Sequence, residues 1–144
     1  MTTTIEKSPV LEITRIVDAA PERVFDAWLQ TSWGDWAGPP GIKGEVTLME
    51  PRVGGRYRMV MHRPDGTSLP VGGVYKEMLR PSRLVMSWKW EPDGAETLIT
   101  LTFKAAGKGT QIHMRHEGFT SEEYRDNHNN GWVGTFDKLE AFRA

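Results

Sequence analysis

The sequence predicts an α+β protein in which a long C-terminal helix packs on an antiparallel sheet of about seven strands. Apolar and polar residues alternate through most of residues 44–117, and Gly- and Pro-rich joints divide that stretch into short segments. After residue 119 the apolar spacing changes to that of a helix. A helix with one apolar face needs a partner, and the sheet is the only large one, so the two form layers.

The chain begins with a strand and a short helix. VLEITRIV at 10–17 alternates as a half-buried strand does. In AAPERVFDAWLQ, Pro21 suits a first helical position, and apolar residues fall at i, i+1, i+4 and i+5 from Val24. TSWGDWAGPPG then predicts a loop with about one helical turn, which displays Trp33 and Trp36.

Six further strands follow this loop. They are predicted at GEVTLMEP, RYRMVMH, LPVGGVYKEML, RLVMSWKW, TLITLTF and TQIHMRHE. Joints such as Pro64-Asp65-Gly66, Pro92-Asp93-Gly94 and Gly107-Lys108-Gly109 carry turn residues. Because joints this short connect neighbouring strands, the strands are predicted to pair antiparallel.

The last helix has a start signal and a mixed inner face. Thr120 and Glu123 fit a capping box, with Phe119 and Tyr124 as a hydrophobic staple. The residues predicted to share the inward face are Tyr124, His128, Gly131, Trp132, Thr135, Leu139 and Phe142.

Two glycines within this helix indicate that it does more than fill a core. Each costs about 1 kcal/mol of helix stability relative to Ala, so Gly131 and Gly134 predict close backbone approach or open space. His128 and Thr135 add polar atoms to the inward face. We therefore hypothesise a cavity between helix and sheet. In the alternative, Gly131 accommodates a bulky strand residue and His128 bonds a backbone carbonyl.

A small-molecule pocket is the best-supported kind of site, because such sites are mostly apolar with a few placed polar groups. Trp33 and Trp36 could cover it, and Tyr75 and Glu77 are predicted to share one strand face. Core packing is the alternative, favoured for Met59, Trp88 and Leu101. The candidate ligand-binding residues are Trp33, Trp36, Tyr57, Met59, Met61, Tyr75, Glu77, Trp88, His128, Gly131, Trp132, Thr135 and Leu139.

Catalytic and metal signals are weak. Glu77, His116 and His128 are the groups that could move a proton if they converged, but no catalytic residue is assigned. The chain has no Cys, and His113 and His116 point to opposite strand faces, so neither a metal nor a cofactor is expected. No G-x-S-x-G nucleophile motif occurs, and Gly107-Lys108-Gly109-Thr110 is a hairpin rather than a phosphate loop.

Composition limits the partners. The 144 residues suit one domain, predicted over 10–144, after a flexible tail at 1–9. With 18 basic and 19 acidic residues, net charge −1, no nucleic-acid partner is expected. No apolar run reaches membrane-spanning length, so no membrane insertion is expected. The absence of Cys is compatible with the expected cytoplasmic location. We expect a monomer or a weak homodimer.

The chain resembles the START-like (SRPBCC, helix-grip) superfamily, and most of all its bacterial branch homologous to the activator of heat-shock-protein-90 ATPase. The matching segments are DAAPERVFDAW, WGDWAGPPG, PRVGGRYRMVMHRPDG, GGVYKEMLRPSRLVMSWKW, HEGF, HNNGW and LEAF, from about residue 10 onward. The resemblance implies a curved sheet gripping the long helix, with two short helices after the first strand and a hydrophobic cavity between sheet and helix.

The resemblance also implies three functions. The first is binding of a hydrophobic or amphipathic small molecule, such as a lipid, sterol, polyketide-like or aromatic compound, without catalysis. The second is a cyclase- or hydrolase-type enzyme that uses the same cavity. The third is modulation of a heat-shock-protein-90-type chaperone ATPase.

Overall fold

The computed structural model describes residues 9–141, in which seven strands and three helices form two layers. The strands are β1 (Val10–Val17), β2 (Lys43–Met49), β3 (Arg56–His62), β4 (Ser68–Leu79), β5 (Arg83–Trp90), β6 (Thr97–Ala106) and β7 (Gly109–Glu117). The helices are α1 (Pro21–Ala27), α2 (Trp33–Trp36) and α3 (Glu122–Ala141). The predicted α+β architecture is confirmed. Residues 1–8 of the predicted tail, and Phe142, lie outside the described residues.

The sheet is antiparallel throughout, in the order β1-β7-β6-β5-β4-β3-β2. Consecutive strands pair from β2 to β7, as short turns require. β1 pairs with β7, so β1 and β2 lie at opposite edges and the segment holding α1 and α2 crosses between them. None of the helices described is both long and apolar enough to cross a membrane.

The predicted strand positions agree closely with the structure, since 10–17, 56–62 and 83–90 coincide with β1, β3 and β5. The start of α3 differs by one residue from the predicted capping box. Ser121, not Thr120, caps the helix: its Oγ accepts a hydrogen bond from the backbone N–H of Tyr124 at 3.1 Å. The predicted contact between Phe119 and Tyr124 is present, with ring centroids 5.9 Å apart.

A β-bulge changes the face of one predicted site residue. In β4, Tyr75 pairs with Met86 and Glu77 pairs with Val85, so two steps along β4 match one step along β5. An extra residue of this kind reverses the side-chain alternation that follows it. Tyr75 is therefore buried while Glu77 is exposed, and the prediction that they share a face is wrong.

Aromatic residues fill one end of the space between sheet and helices. Trp28 lies at their centre, with ring-centroid distances of 4.8 Å to Trp36 and 6.0 Å to Phe136. Phe25 contacts Phe103 edge to face at 5.3 Å. The C-terminal half of α3 thus rests on a filled aromatic layer, since Phe136 and Leu139 are almost fully buried.

Candidate functional site

A cavity of about 550 Å³ lies under α3, along the part of the helix between Tyr124 and Thr135. Its other walls come from the segment that follows α2 and from the adjoining ends of β3, β4 and β5. The lining residues are Trp33, Ala37, Gly38, Pro39, Ile42, Met61, Arg63, Leu69, Trp88, Trp90, Gly94, Tyr124, Asn127, His128, Gly131, Trp132 and Thr135. Pro39, Arg63 and Asn127 are exposed, so they mark the side on which the cavity meets solvent.

Four indoles dominate the lining. Trp88 lies between two of them, with ring centroids 5.1 Å from Trp132 and 5.6 Å from Trp90. The indole nitrogens of Trp33 and Trp88 are buried and have no hydrogen-bond partner among residues 9–141. A buried donor without a partner costs about 1–3 kcal/mol. These two nitrogens are buried away from the cavity surface, so the indoles present mainly apolar atoms to the cavity.

His128 is held in one neutral form. Trp90 Nε1–H donates to His128 Nε2 at 2.9 Å, and His128 Nδ1 is 2.9 Å from the carbonyl oxygen of Tyr124. Since Nε2 must accept, the proton is on Nδ1 and is donated to that carbonyl. Burial lowers the pKa of His128, although the bond to Tyr124 opposes this. The predicted alternative of a backbone-bonded histidine describes His128, which also lines the cavity.

His116 is a second neutral histidine, and it lies behind the cavity wall with a hydrogen bond on each ring nitrogen. Trp132 Nε1–H donates to its Nδ1 at 3.1 Å, and its Nε2 is 2.7 Å from Thr97 Oγ1. The Thr97 hydroxyl donates to the Trp88 carbonyl at 3.0 Å, so Nε2 carries the proton and donates to Oγ1. Burial, helped by nearby His128, lowers the pKa of His116 to about 2. Both imidazoles are thus uncharged at neutral pH.

The two glycines of α3 have opposite surroundings. A Cβ atom on Gly131 would meet nothing within 4 Å beyond its own helical turn. A Cβ atom on Gly134 would lie 2.6 Å from Pro40 Cδ and 2.9 Å from Pro39 Cα. The sequence predicts close approach or open space, and the structure has one of each: space at Gly131, contact at Gly134. Gly131 does not accommodate a bulky strand residue.

A single ammonium group attaches the wall segment to the helix. Lys138 Nζ donates to the backbone carbonyls of Ala37 at 3.1 Å, Pro39 at 3.4 Å and Ile42 at 3.2 Å. Burial lowers the pKa of Lys138. These bonds and the contact at Gly134 fix residues 37–42, which form one side of the cavity.

The structure brings seven of the predicted site residues together around the cavity, namely Trp33, Met61, Trp88, His128, Gly131, Trp132 and Thr135. Five others are buried in the adjoining core and do not line it, namely Trp36, Tyr57, Met59, Tyr75 and Leu139. The predicted role of Trp36 as a cover is wrong, because it is only 1% exposed and packs against Trp28.

Tyr57 supports the cavity from behind. Its ring centroid is 5.5 Å from Trp33 and 5.4 Å from Tyr75, and its hydroxyl donates to the carbonyl of Ser87. Burial raises the pKa of Tyr57 well above its usual value, so the hydroxyl is protonated. Tyr57 therefore orients a lining residue rather than lining the cavity itself.

Glu77 is not part of this site. It is exposed and paired with Arg83 Nε at 2.9 Å on the outer face of the sheet. The two histidine rings lie 5.4 Å apart, with every ring nitrogen hydrogen-bonded. The three proton-transfer candidates therefore do not converge. Within residues 9–141, no group of three or more His, Asp and Glu side chains could hold a metal ion.

Sequence reasoning missed ten lining residues, namely Ala37, Gly38, Pro39, Ile42, Arg63, Leu69, Trp90, Gly94, Tyr124 and Asn127. Two of these had a usable signal: Trp90 alternates with Trp88, and Tyr124 shares the helix face of His128. The remainder lie mainly in turns and at strand ends, where no periodicity indicates which side chains meet.

A seven-stranded antiparallel sheet with two short helices after its first strand and a long C-terminal helix against it is the helix-grip fold of the START-like superfamily. Residues 18–143 match the model of the family described as "Activator of Hsp90 ATPase homolog 1-like protein", and the chain belongs to that family. Comparison with curated proteins gave no match.

Solved structures from several bacteria share the fold. A Chromobacterium violaceum protein is 25% identical, with 92% of this chain and 94% of that chain covered and a TM-score of 0.86. The AHSA1 protein of Silicibacter pomeroyi is 25% identical, with 92% and 96% covered and a TM-score of 0.81. An Arthrobacter aurescens protein is 22% identical, with 92% and 84% covered and a TM-score of 0.83, a likeness of fold alone.

Proposed function

We propose that the protein binds a hydrophobic or amphipathic small molecule in the cavity under α3. The observation that carries this proposal is a space of about 550 Å³ lined by four indoles and few polar groups. Small-molecule sites have volumes of roughly 300–1,000 Å³ and the same mixture of apolar surface and few polar atoms. A lipid, sterol, polyketide-like or aromatic compound fits this description.

The polar atoms of the lining narrow the ligand further. His128 is neutral and both ring nitrogens are bonded, and the Thr135 hydroxyl donates to the Gly131 carbonyl at 3.0 Å. The indole nitrogens of Trp33 and Trp88 are buried and expose no surface to the cavity, so they offer no donor to a ligand. The described interior of the cavity therefore favours a ligand whose body is mainly apolar.

The two alternative functions have less support. A cyclase- or hydrolase-type reaction needs a free acid or base at the cavity, and His128 would first have to break its bond with Trp90. Modulation of a heat-shock-protein-90-type chaperone is supported by the family description. The enzyme alternative would use the same cavity but lacks a free acid or base among the described lining residues, and the chaperone alternative does not involve the cavity.

The experiment blocks the cavity without damaging the fold. Gly131→Leu adds a side chain where a Cβ meets nothing within 4 Å, and it replaces a poor helix former. Wild-type protein is screened with fatty acids, sterols and flavonoids by thermal unfolding. A ligand at about 100 times its Kd adds about 2.7 kcal/mol, a rise in Tm of roughly 5–10 °C. We expect ligand-free Gly131→Leu to unfold at or above the Tm of ligand-free wild type and to lose the ligand-induced rise.

Asn130→Leu is the matched control, because it adds the same side chain to the same helix at an exposed position. It should retain the ligand-induced rise. Native mass spectrometry of freshly purified wild-type protein should detect a carried-over small molecule that Gly131→Leu lacks. Absence of any shift across the panel would defeat the proposal, and equal shifts in wild type and Gly131→Leu would move the ligand elsewhere.

A further inference from the structure

We infer that the cavity selects anionic amphiphiles, with a carboxylate-type head group bound by Arg63 at the mouth and an apolar body among the indoles. This inference rests on the proposed function and specifies its ligand class. It comes from the charges of the described lining residues, which include one positive side chain and no negative one.

Among the described lining residues, Arg63 alone has a permanent charge. It follows the last residue of β3 and is exposed at the mouth. Within residues 9–141 its guanidinium has no carboxylate ion pair. Asp65 in the same turn is engaged by Thr67, whose backbone N–H and hydroxyl donate to Oδ1 at 2.9 Å and 2.6 Å. The guanidinium therefore has donors available for a ligand.

The described part of the lining contains no negative charge to offset Arg63. None of its residues is Asp or Glu, and Tyr124, Asn127 and Thr135 are uncharged. His128 is neutral because Trp90 occupies its Nε2 as a donor and its own Nδ1–H is given to a carbonyl. A cationic ligand would meet one like charge and no carboxylate among the described lining residues. An anion would meet a guanidinium that is attracted to Asp65 of its own turn but forms no ion pair with it.

Indole faces also attract cations, so the aromatic lining by itself could suit an amine. The charge at the mouth favours an anion instead. Among the described lining residues Arg63 alone carries a permanent charge, and it is exposed on the side that meets solvent. A guanidinium binds oxygen acceptors and repels an ammonium group.

The position of Arg63 determines which anions fit. A planar guanidinium with five N–H donors binds carboxylate or phosphate oxygens in pairs. Because it lies at the exposed rim, the head group it binds remains partly hydrated, and the apolar part extends inward. Exposed ion pairs contribute little, so we expect about fivefold selectivity for the anion, falling as salt screens the pair.

The test compares three ligands of equal chain length: dodecanoate, dodecanol and dodecylamine. They are titrated at about pH 8, where the acid is ionised and the amine is protonated. Concentrations stay below the critical micelle concentrations of the acid and the amine and below the aqueous solubility of dodecanol. The fluorescence of the cavity tryptophans reports binding. Wild-type protein should bind dodecanoate about fivefold more tightly than dodecanol, and dodecylamine most weakly. Arg63→Gln should bind dodecanoate and dodecanol equally, with dodecanol unchanged.

Arg56→Gln is the control, because it removes an exposed charge from the other end of β3 and does not touch the cavity. It should retain wild-type selectivity. The inference is overturned if wild-type protein binds dodecanoate and dodecanol equally, or if Arg63→Gln keeps the full preference for dodecanoate. In either case, binding of dodecanol would still support the proposed function. Tighter binding of the amine overturns it in favour of cation recognition by the indoles. Failure of all three ligands, together with the wider panel, defeats both proposals.

Discussion

The two halves of α3 rest on different surroundings. The N-terminal half, including His128 and Gly131, lies over the cavity. The C-terminal half, including Gly134 and Phe136, lies against Pro39, Pro40 and the aromatic layer around Trp28. The same residue type therefore faces open space at one position and close contact three residues later.

This difference shows how a helix can cover an unfilled space. Burial of apolar side chains in the C-terminal half, with the three bonds from Lys138, attaches the helix to the rest of the protein. The part of the helix over the cavity keeps its orientation through paired polar groups, His128 with Trp90 and Trp132 with His116. The C-terminal half of α3 therefore provides most of the stabilising contacts, and the N-terminal half covers open space.

The largest expected effect comes from the C-terminal half of α3, which packs on the aromatic core. Phe136 is fully buried, with ring-centroid distances of 6.0 Å to Trp28 and 6.2 Å to Trp132. Phe136→Ala should lower the free energy of unfolding by about 3–5 kcal/mol, through lost burial and the resulting void. Urea denaturation measures this. Tyr124→Ala, at a partly exposed position over the cavity, should cost much less; equal losses would mean that both halves anchor the helix alike.

The second largest expected effect is the pH dependence of the free energy of unfolding, which tests the buried hydrogen bonds of His116. The pKa of His116 is about 2 in the folded protein, below the value of about 6.5 in the unfolded chain. Below about pH 6.5 the unfolded chain binds a proton at this residue that the folded protein does not bind, so acid favours unfolding. The contribution of neutral His116 to the free energy of unfolding is therefore complete above about pH 6.5 and is lost as the pH falls. Lowering the pH from about 7 to about 5 should cost about 2 kcal/mol through this residue.

His116→Gln separates this effect from the titration of carboxylates, because an amide can accept from Trp132 and donate to Thr97 without titrating. Chemical denaturation at several pH values should show a shallower acid loss in this variant than in wild type. Parallel curves for the two proteins would contradict the assignment of a neutral buried imidazole at His116.

The smallest expected effect comes from the same substitution made at each of the two glycines of α3. Gly131→Ala should raise the free energy of unfolding by about 0.5–1 kcal/mol, because Ala is the better helix former and its Cβ meets no other element. Gly134→Ala adds the same methyl group against Pro39 and Pro40, so overpacking should cancel or reverse the gain. Thermal unfolding of the two variants measures the difference. Changes of the same sign and size would remove the distinction between the halves.

Most of the fold could be predicted because alternation and turn chemistry are local. Strands 10–17, 56–62 and 83–90 needed no long-range information. The misplaced residue, Glu77, follows a bulge, and an extra residue in β4 leaves no mark on the apolar pattern of VYKEML. A bulge depends on pairing with β5, which the sequence of β4 does not contain.

The site was predicted less completely because periodicity specifies a face and not a depth. Tyr57, Met59 and Met61 share the inner face of β3, yet only Met61 reaches the cavity. Distance along the strand decides this, through the position of the aromatic layer and of the segment after α2. Arg63 was missed for a related reason: it lies in a turn, where only the assembled fold brings it to the cavity mouth.

The attachment of residues 37–42 by Lys138 has a consequence for how such a protein could diversify. All three acceptors are backbone carbonyls, those of Ala37, Pro39 and Ile42. Main-chain oxygens are present whatever side chains the segment carries. Substitutions at Ala37 and Ile42 can therefore alter the shape of one wall while the anchor stays in place, so that new ligand preferences could evolve without rebuilding the scaffold.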